Sequence, residues 1–276
     1  MSARPKAGID EVREYWDRRP CNVRHSAAEV GTPQYWNEVE ARKYFVEPHI
    51  PGFAEFDRWR GKRVLEIGCG IGTDTISFAR AGAEVTAVDV SEVSLQLARQ
   101  RAETMGVGNI SFRQADAEEL SRVVPPEPYD LVYAFGVVHH TPRPERVMRQ
   151  IRRHYTRPGS TVKVMVYHCY AWKVLWILLV YGHGAFWRLG DLVARYSEAE
   201  SGCPITYTYS RRGVRRLLGG FEITDMRVNH IFPYRISDYA RYRYVKVGYF
   251  RYLPDQVFRW LEQHFGWHLC VTARVV

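Results

Sequence analysis

From Gly61 onward, short apolar, β-rich segments alternate with segments in which apolar positions recur at helical spacing. The pattern predicts strands over Arg63–Ile67, Glu84–Val88, Ile110–Arg113, Tyr129–Phe135 and Thr161–Tyr167. Helices are predicted between them over Thr73–Ala81, Ser91–Met105 and Pro144–His154. Strands that are apolar almost throughout, separated by helices of this length, are the mark of buried parallel strands. The fold class is therefore α/β, a doubly wound, Rossmann-like sheet. Ser91 is a good N-cap for its helix, and Pro158-Gly159 is a turn delivering the chain into the fifth strand.

Outside this core the pattern changes. Residues 1–60 are mostly helical, with breaks at Pro20, Gly31-Thr32-Pro33 and Pro48–Gly52, and form an N-terminal helical segment that either packs on the sheet edge or serves as a lid. The α/β core runs over 61–168. Residues 169–218 depart from the alternation and read as an aromatic cap inserted after the fifth strand. Residues 219–276 return to the same domain, with closing strands at Glu222–Phe232 and Trp267–Val276, antiparallel at the sheet's end, and a helix at Gln256–Phe265 between them.

Composition narrows the classes. Apolar residues make up 46% and charged residues 25%, a globular balance that argues against disorder. Five scattered cysteines with no C-x-x-C pair support neither a structural zinc nor a disulfide scaffold, so a reducing, cytoplasmic setting is expected. Met1–Glu14 has charges of both signs and no apolar core of a secretory leader. The longest apolar run, Val174–Tyr181, falls well short of the roughly 20 residues a bilayer span needs. The net charge is +9, and residues 205–276 alone hold 12 Lys/Arg against 5 Asp/Glu. That basic face could meet nucleic acid, but arginine-rich solvated surface is the simpler account, so a nucleic-acid partner is not expected.

The sharpest chemical signal is Leu65-Glu66-Ile67-Gly68-Cys69-Gly70-Ile71-Gly72-Thr73, an apolar strand entering a glycine-rich turn and then a helix. Glycines let backbone approach a nucleotide-like ligand, and the helix start beyond offers N–H groups. The spacing is not G-x-G-x-x-G, because Thr73 stands where that dinucleotide fingerprint needs its last glycine. Asp89 closes the second strand, placed to accept two ribose hydroxyls, and Asp116 follows the third, within reach of an adenine amino group. Acids at successive carboxyl ends of one parallel sheet converge on a single crevice.

With this set of motifs the chain resembles the class I S-adenosylmethionine-dependent methyltransferases, over about Trp59 to Tyr167, including Tyr129-Asp130-Leu131-Val132 leading into Val137-Val138-His139-His140. Its G-C-G-x-G and V-x-H-H patterns are most similar to the small-molecule group that includes quinone-biosynthesis and sterol C-methyltransferases. The resemblance implies S-adenosylmethionine as cofactor. It implies contacts from Gly68, Gly70 and Gly72 around the methionine part, Asp89 at the ribose, and Asp116 and Ala117 at the adenine, with Glu66, Cys69 and Val90 also at the cofactor. It also implies that the N-terminal helical segment folds over the cofactor as a lid. Phe135 and His140 would border the sulfonium.

The fourth strand ends in Ala134-Phe135-Gly136-Val137, without the N-P-P-Y or D-P-P-Y tetrapeptide of exocyclic-amine methyltransferases. No motif activates a cysteine for cytosine-C5 chemistry, and carboxylates for a catechol-type magnesium site are missing after that strand, so no metal is expected. Base candidates at the carboxyl ends of strands are His139, His140, Tyr167 and His168. Tyr15, Trp16 and Tyr35 from the N-terminal segments and Tyr170 and Trp172 from the cap are the expected substrate contacts. Eight of 18 tyrosines lie between Tyr207 and Tyr252, interleaved with cations. Such interleaving can stack bases, wall an apolar pocket, or simply pack. The expectation is a methyltransferase, possible as a homo-oligomer, for a hydrophobic small molecule, with alkene C-methylation favoured over O- or N-methylation and RNA the alternative.

Overall fold

The structure, a computed structural model, describes residues 7–197 and 202–275. The first six residues weighed above as a leader, residues 198–201 of the cap and Val276 of the last strand lie outside the described residues. Among those described, one eight-stranded sheet forms the core. Strands β1 (Arg63–Ile67), β2 (Glu84–Asp89), β3 (Ile110–Gln114), β4 (Leu131–Phe135) and β5 (Thr161–His168) are parallel. A two-residue strand, β6 (Thr208–Tyr209), pairs with the end of β5. Strand β8 (His268–Arg274) lies antiparallel between β5 and β7 (Glu222–Asn229), giving the order β3-β2-β1-β4-β5-β8-β7. The order reverses between β1 and β4, which opens a crevice above their carboxyl ends.

Strand alternation divides the core into two faces. Leu131 and Tyr133 of β4 join Val64 and Val85 on one face, and Val132 and Ala134 join Leu65, Val162 and Val164 on the other. In β5 the same alternation sends Met165 and Tyr167 toward Ala171, Trp267 and Cys270. His168 therefore points away from Tyr167.

Helix α1 (Ile9–Arg18) crosses the start of the helix after β2, where the Ser91 hydroxyl donates to Asp17 at 2.7 Å. That Ser91 also caps its own helix, accepting from the Ser94 N–H at 3.1 Å. Helix α2 (Pro33–Val46) starts with proline at its first turn and Thr32 as N-cap. It buries Tyr35, Trp36 and Val39 against Ile71 beside the glycine turn. A short helix, α3 (His49–Ala54), returns the chain to the sheet.

The cap is smaller than the pattern suggested. After β5, helices α4 (Trp172–Val180) and α5 (Leu189–Tyr196) form a hairpin that buries Val174, Ile177, Leu192 and Val193, while Leu179, Phe186 and Trp187 stay exposed. The chain then rejoins the sheet through β6, and Val214 and Leu218 enter the core. Two residues carry no periodicity, so this strand left no trace in the pattern. A second inserted segment joins β7 to β8, and its Tyr239, Tyr242 and Tyr244 surround the guanidinium of Arg42 from α2 at 3.9, 4.4 and 5.9 Å. Strand β7 stops at Asn229 rather than Phe232 because His230 takes a left-handed φ of 71°. No helix among the described residues is long and apolar enough to cross a membrane.

Candidate active site

A cavity of about 440 Å³ lies above the carboxyl ends of β1, β2, β4 and β5. One end is built on the glycine turn. Gly68 has φ 74°, and a Cβ there would come within 2.0 Å of Val137 Cγ2, so only glycine lets the β1 and β4 loops meet. Gly70 has φ 54° and nothing within 4 Å of a Cβ position, which leaves its flank open to a ligand. Asp89 fixes this turn to β2. One carboxylate oxygen accepts the Gly70 N–H at 2.8 Å and the other the Ser91 N–H at 2.9 Å. Burial pushes its pKa up and these N–H groups pull it down. Each oxygen keeps a second lone pair, suited to a pair of vicinal hydroxyls. Val90, Asp116 and Ala117 continue the wall, with Asp116 accepting the Glu118 N–H at 2.8 Å. Ile9, Val12 and Trp16 of α1 face them. An open glycine flank, a ribose-type carboxylate and a small apolar slot fit the sugar, base and methionine parts of S-adenosylmethionine.

Beneath the turn runs a buried polar network. The Lys43 ammonium meets Asp74 at 2.7 Å, and the Tyr44 and Tyr133 hydroxyls donate to the same carboxylate at 3.0 Å each. Glu66 accepts from the Thr75 hydroxyl at 2.6 Å, and burial, reinforced by Asp74, pushes its pKa up to about 8. Burial also holds the Cys69 thiol well above its usual pKa, so it is not a nucleophile.

The other end is aromatic and rich in imidazoles. Phe135 closes β4, and Tyr167 stacks on Trp267 with ring centres 4.0 Å apart. The His140 ring meets the Ile205 carbonyl through Nδ1 at 2.8 Å, so Nδ1 carries the proton, and Trp16 packs edge-on against it at 5.4 Å. Farther out, three imidazoles converge from three elements. His268, at the start of β8, bonds through Nδ1 to Nε2 of His49 at 3.0 Å, and its Nε2 lies 3.6 Å from Glu47. His230 stacks on it with centres 4.6 Å apart. Burial pushes the pKa of His49 down to about 4 and that of His230 down to about 3, and holds that of His268 well below the usual histidine value. All three are neutral at pH 7. Lys173, Phe232 and Tyr239 complete the wall.

Of the residues singled out from sequence, Gly68, Cys69, Gly70, Asp89, Val90, Asp116, Ala117, Phe135, His140, Tyr167 and Trp16 line the cavity. Glu66 lies beneath the turn, bonded to Thr75, and Gly72 ends the turn as the N-cap of the next helix, with φ 76°. His139 is sealed between His140 and Tyr167, 4.2 and 3.8 Å between ring centres, away from the cavity. His168 is carried to the opposite face by strand alternation. Tyr15 is buried against Trp16, and the Tyr35 hydroxyl donates to the Val23 carbonyl at 2.7 Å behind α2. Tyr170 is 67% exposed, and Trp172 packs on Tyr249 and Phe250. The residues missed, Glu47, His49, Lys173, His230 and His268, occur singly in sequence and meet only through the fold.

Residues 59–173 match a family model described as a methyltransferase domain. The chain is 35% identical over 121 residues to the ubiquinone biosynthesis O-methyltransferase of Acinetobacter baylyi, covering 44% of this chain and 48% of that protein. Against the enzyme of that name from Bordetella bronchiseptica, identity is 42% over 102 residues, 37% of this chain and 41% of the other. The match thus spans less than half the length of these relatives. Among solved structures, the magnesium protoporphyrin IX methyltransferase of Synechocystis PCC 6803 with bound SAH superposes with a TM-score of 0.58 at 19% identity, over 96% of this chain and 98% of that one. A methyltransferase from Mesorhizobium loti gives 0.55 at 18% identity, over 82% and 97%. These two likenesses are likenesses of fold. The matched segment holds β1 to β5, the glycine turn and Asp89; over that segment the chain is similar to methyltransferase domains, and its cofactor end fits S-adenosylmethionine.

Proposed function

We propose that the chain O-methylates a small hydroxylated aromatic molecule. The observation that carries this is the composition of the cavity's outer half, where the flat walls of Phe135, Tyr167 and Trp267 face Lys173 and the imidazoles of His230 and His268. Such walls favour a planar ring, and a cation beside neutral imidazoles, whose free ring nitrogens accept hydrogen bonds, favours a hydroxyl as the acceptor group. The relatives named as ubiquinone biosynthesis O-methyltransferases support the same acceptor atom.

When bound, S-adenosylmethionine supplies an electrophilic methyl group. Trp16, Ile9 and Val12 of α1 exclude water from that end, and Tyr167 with Trp267 aligns the acceptor ring. Transfer forms an oxygen–carbon bond and breaks the sulfur–carbon bond, leaving its electron pair on sulfur, and the hydroxyl proton is released. Alkene C-methylation is less well supported. It would create a carbocation beside the Lys173 ammonium, which repels it. An RNA acceptor draws no support from the tyrosine-rich segment, since Tyr239 and Tyr242 already stack on Arg42.

Incubating the protein with methyl-labelled cofactor and separate sets of phenols and catechols, prenyl alkenes, and RNA tests the proposal. Label is expected as an aryl methyl ether. Label in an alkene product or in RNA, with none in the phenols, overturns it.

A further inference from the structure

We propose that Glu47, His230 and His268 form a binding site for one divalent transition metal of the zinc type, at the acceptor end of the cavity. Each offers one ligand atom, and these atoms lie within 4.8 Å of one another. A metal with bonds of about 2.1 Å holds tetrahedral ligands about 3.4 Å apart, so small side-chain movements close the site. The 3.6 Å between His268 Nε2 and Glu47 Oε1 is already close to that spacing.

The surroundings match those of a metal site. His268 Nδ1 is bonded to His49 Nε2 at 3.0 Å, which leaves Nε2 as the coordinating nitrogen and lets Nδ1–H orient the ring, the role an outer partner plays for a metal-bound histidine. The backbone of His230 is held in the left-handed region, φ 71°, which is strained for a non-glycine residue. Trp267 N–H to the His230 carbonyl at 2.7 Å fixes it there and brings its ring over His268. Strain of this kind persists where a side chain must be aimed. The neighbouring cations are engaged, Lys43 with Asp74 at 2.7 Å and Lys173 with the Ser197 carbonyl at 2.5 Å. Two nitrogens and one carboxylate suit zinc, cobalt or iron(II), whereas magnesium and calcium demand mostly oxygen.

Three protein ligands leave a coordination position open to the cavity. On the O-methylation reading above, that position takes the acceptor hydroxyl. Binding lowers the hydroxyl's pKa, its proton passes to water, and the oxygen is held as an anion.

The test uses the full chain freed of metal by chelator. Cobalt(II) titration is expected to give a saturable visible absorption band at one equivalent, abolished by zinc and unaffected by magnesium, and zinc should raise the thermal midpoint. His230→Ala and His268→Ala should lose the band, and Glu47→Gln should weaken cobalt binding at least tenfold. His264→Asn, an exposed histidine elsewhere, should change nothing. Retained affinity for S-adenosylmethionine by calorimetry certifies that each variant is folded. Absence of a saturable band in the unaltered protein overturns the site, as does a band that survives in both folded histidine variants. The readout needs no acceptor. A phenol methylated at full rate in chelator overturns the metal while O-methylation stands, and one bound cobalt with no phenol methylated supports the metal while the acceptor reading falls.

Discussion

The two ends of the cavity are made in different ways. The cofactor end is backbone and short side chains: a glycine turn, the carboxylate of Asp89 braced by the Gly70 and Ser91 N–H groups, and Asp116 capping the turn that follows. All of it comes from consecutive strand ends of one sheet, so its geometry is set by the sheet. The acceptor end adds to Phe135 and Tyr167 of the sheet long side chains from α2, the α2–α3 junction, the start of α4, the end of β7 and the start of β8, held by stacking and by hydrogen bonds between imidazoles. Its geometry depends on how the N-terminal lid and the β7–β8 insertion dock. The first end serves any chain needing the same cofactor, and the second is where one acceptor is told from another.

The strongest way to break this division is through Asp89. Replacing it with Ala removes two charge-assisted acceptors from the ligand and unties Gly70, and should weaken S-adenosylmethionine binding by about 2–4 kcal/mol. Calorimetry should show this loss while acceptor binding changes little. An equal loss at both ends would mean that the two are one unit.

Acid should attack the lid. His25 lies in it, its Nε2 3.2 Å from the Tyr239 hydroxyl, with Arg42 and Lys43 close by. Burial first, then Arg42 and Lys43, pushes its pKa from 6.5 down to about 4. The unfolded chain therefore binds a proton that the folded chain refuses. The stability this histidine contributes is fully present above pH 6.5 and is lost as pH falls toward 4, by about 2–3 kcal/mol. Urea unfolding of the wild type and of His25→Gln at pH 7.5 and pH 4.5 should show a shallower acid loss in the variant. Equal losses would place the acid-sensitive group elsewhere.

Legibility in sequence follows the same division. The glycine turn, Asp89, Asp116, Phe135 and His140 stand beside strand signals that pattern alone identifies, and their side of the sheet follows from parallel order. The alternation that sends Tyr167 into the cavity sends His168 out of it, so that exclusion was available from the strand itself. Glu47, His49, His230 and His268 carry no mutual spacing. A lone histidine at the start of β8 has the pattern of any polar strand residue, and only the pairing of Asn229 with His268 brings His230 beside it. The tyrosine–arginine run was ambiguous for a related reason, because the cation its rings receive, Arg42, lies about two hundred residues away in sequence.

That aromatic clamp offers a smaller perturbation. Arg42 lies over Tyr239 and Tyr242 and donates to the Tyr239 carbonyl at 2.5 Å. Arg42→Met keeps much of the stem packing and removes the cation, which relieves some burial cost, so the net loss of stability should be about 1–2 kcal/mol. Since Tyr239 and Phe232 line the acceptor end, KM for the acceptor should rise several-fold with cofactor affinity unchanged. A drop in cofactor affinity of the same size would show the clamp bracing the whole lid.

The smallest expected effect concerns the cap. Tyr170 was a natural choice for a substrate contact, being aromatic and two residues beyond the end of β5. It is 67% exposed, touches the ring of His168 edge-on, and stands outside the cavity. Surface substitutions away from special features stay within about 0.5 kcal/mol, so Tyr170→Ala should change both stability and kcat/KM by about twofold or less. Steady-state kinetics on the methylated acceptor are the measurement. A loss of tenfold or more would mean that the α4–α5 hairpin swings over the cavity when substrate binds, bringing Tyr170 onto the acceptor. The division between a sheet-built end and a lid-built end would then need a third, moving part.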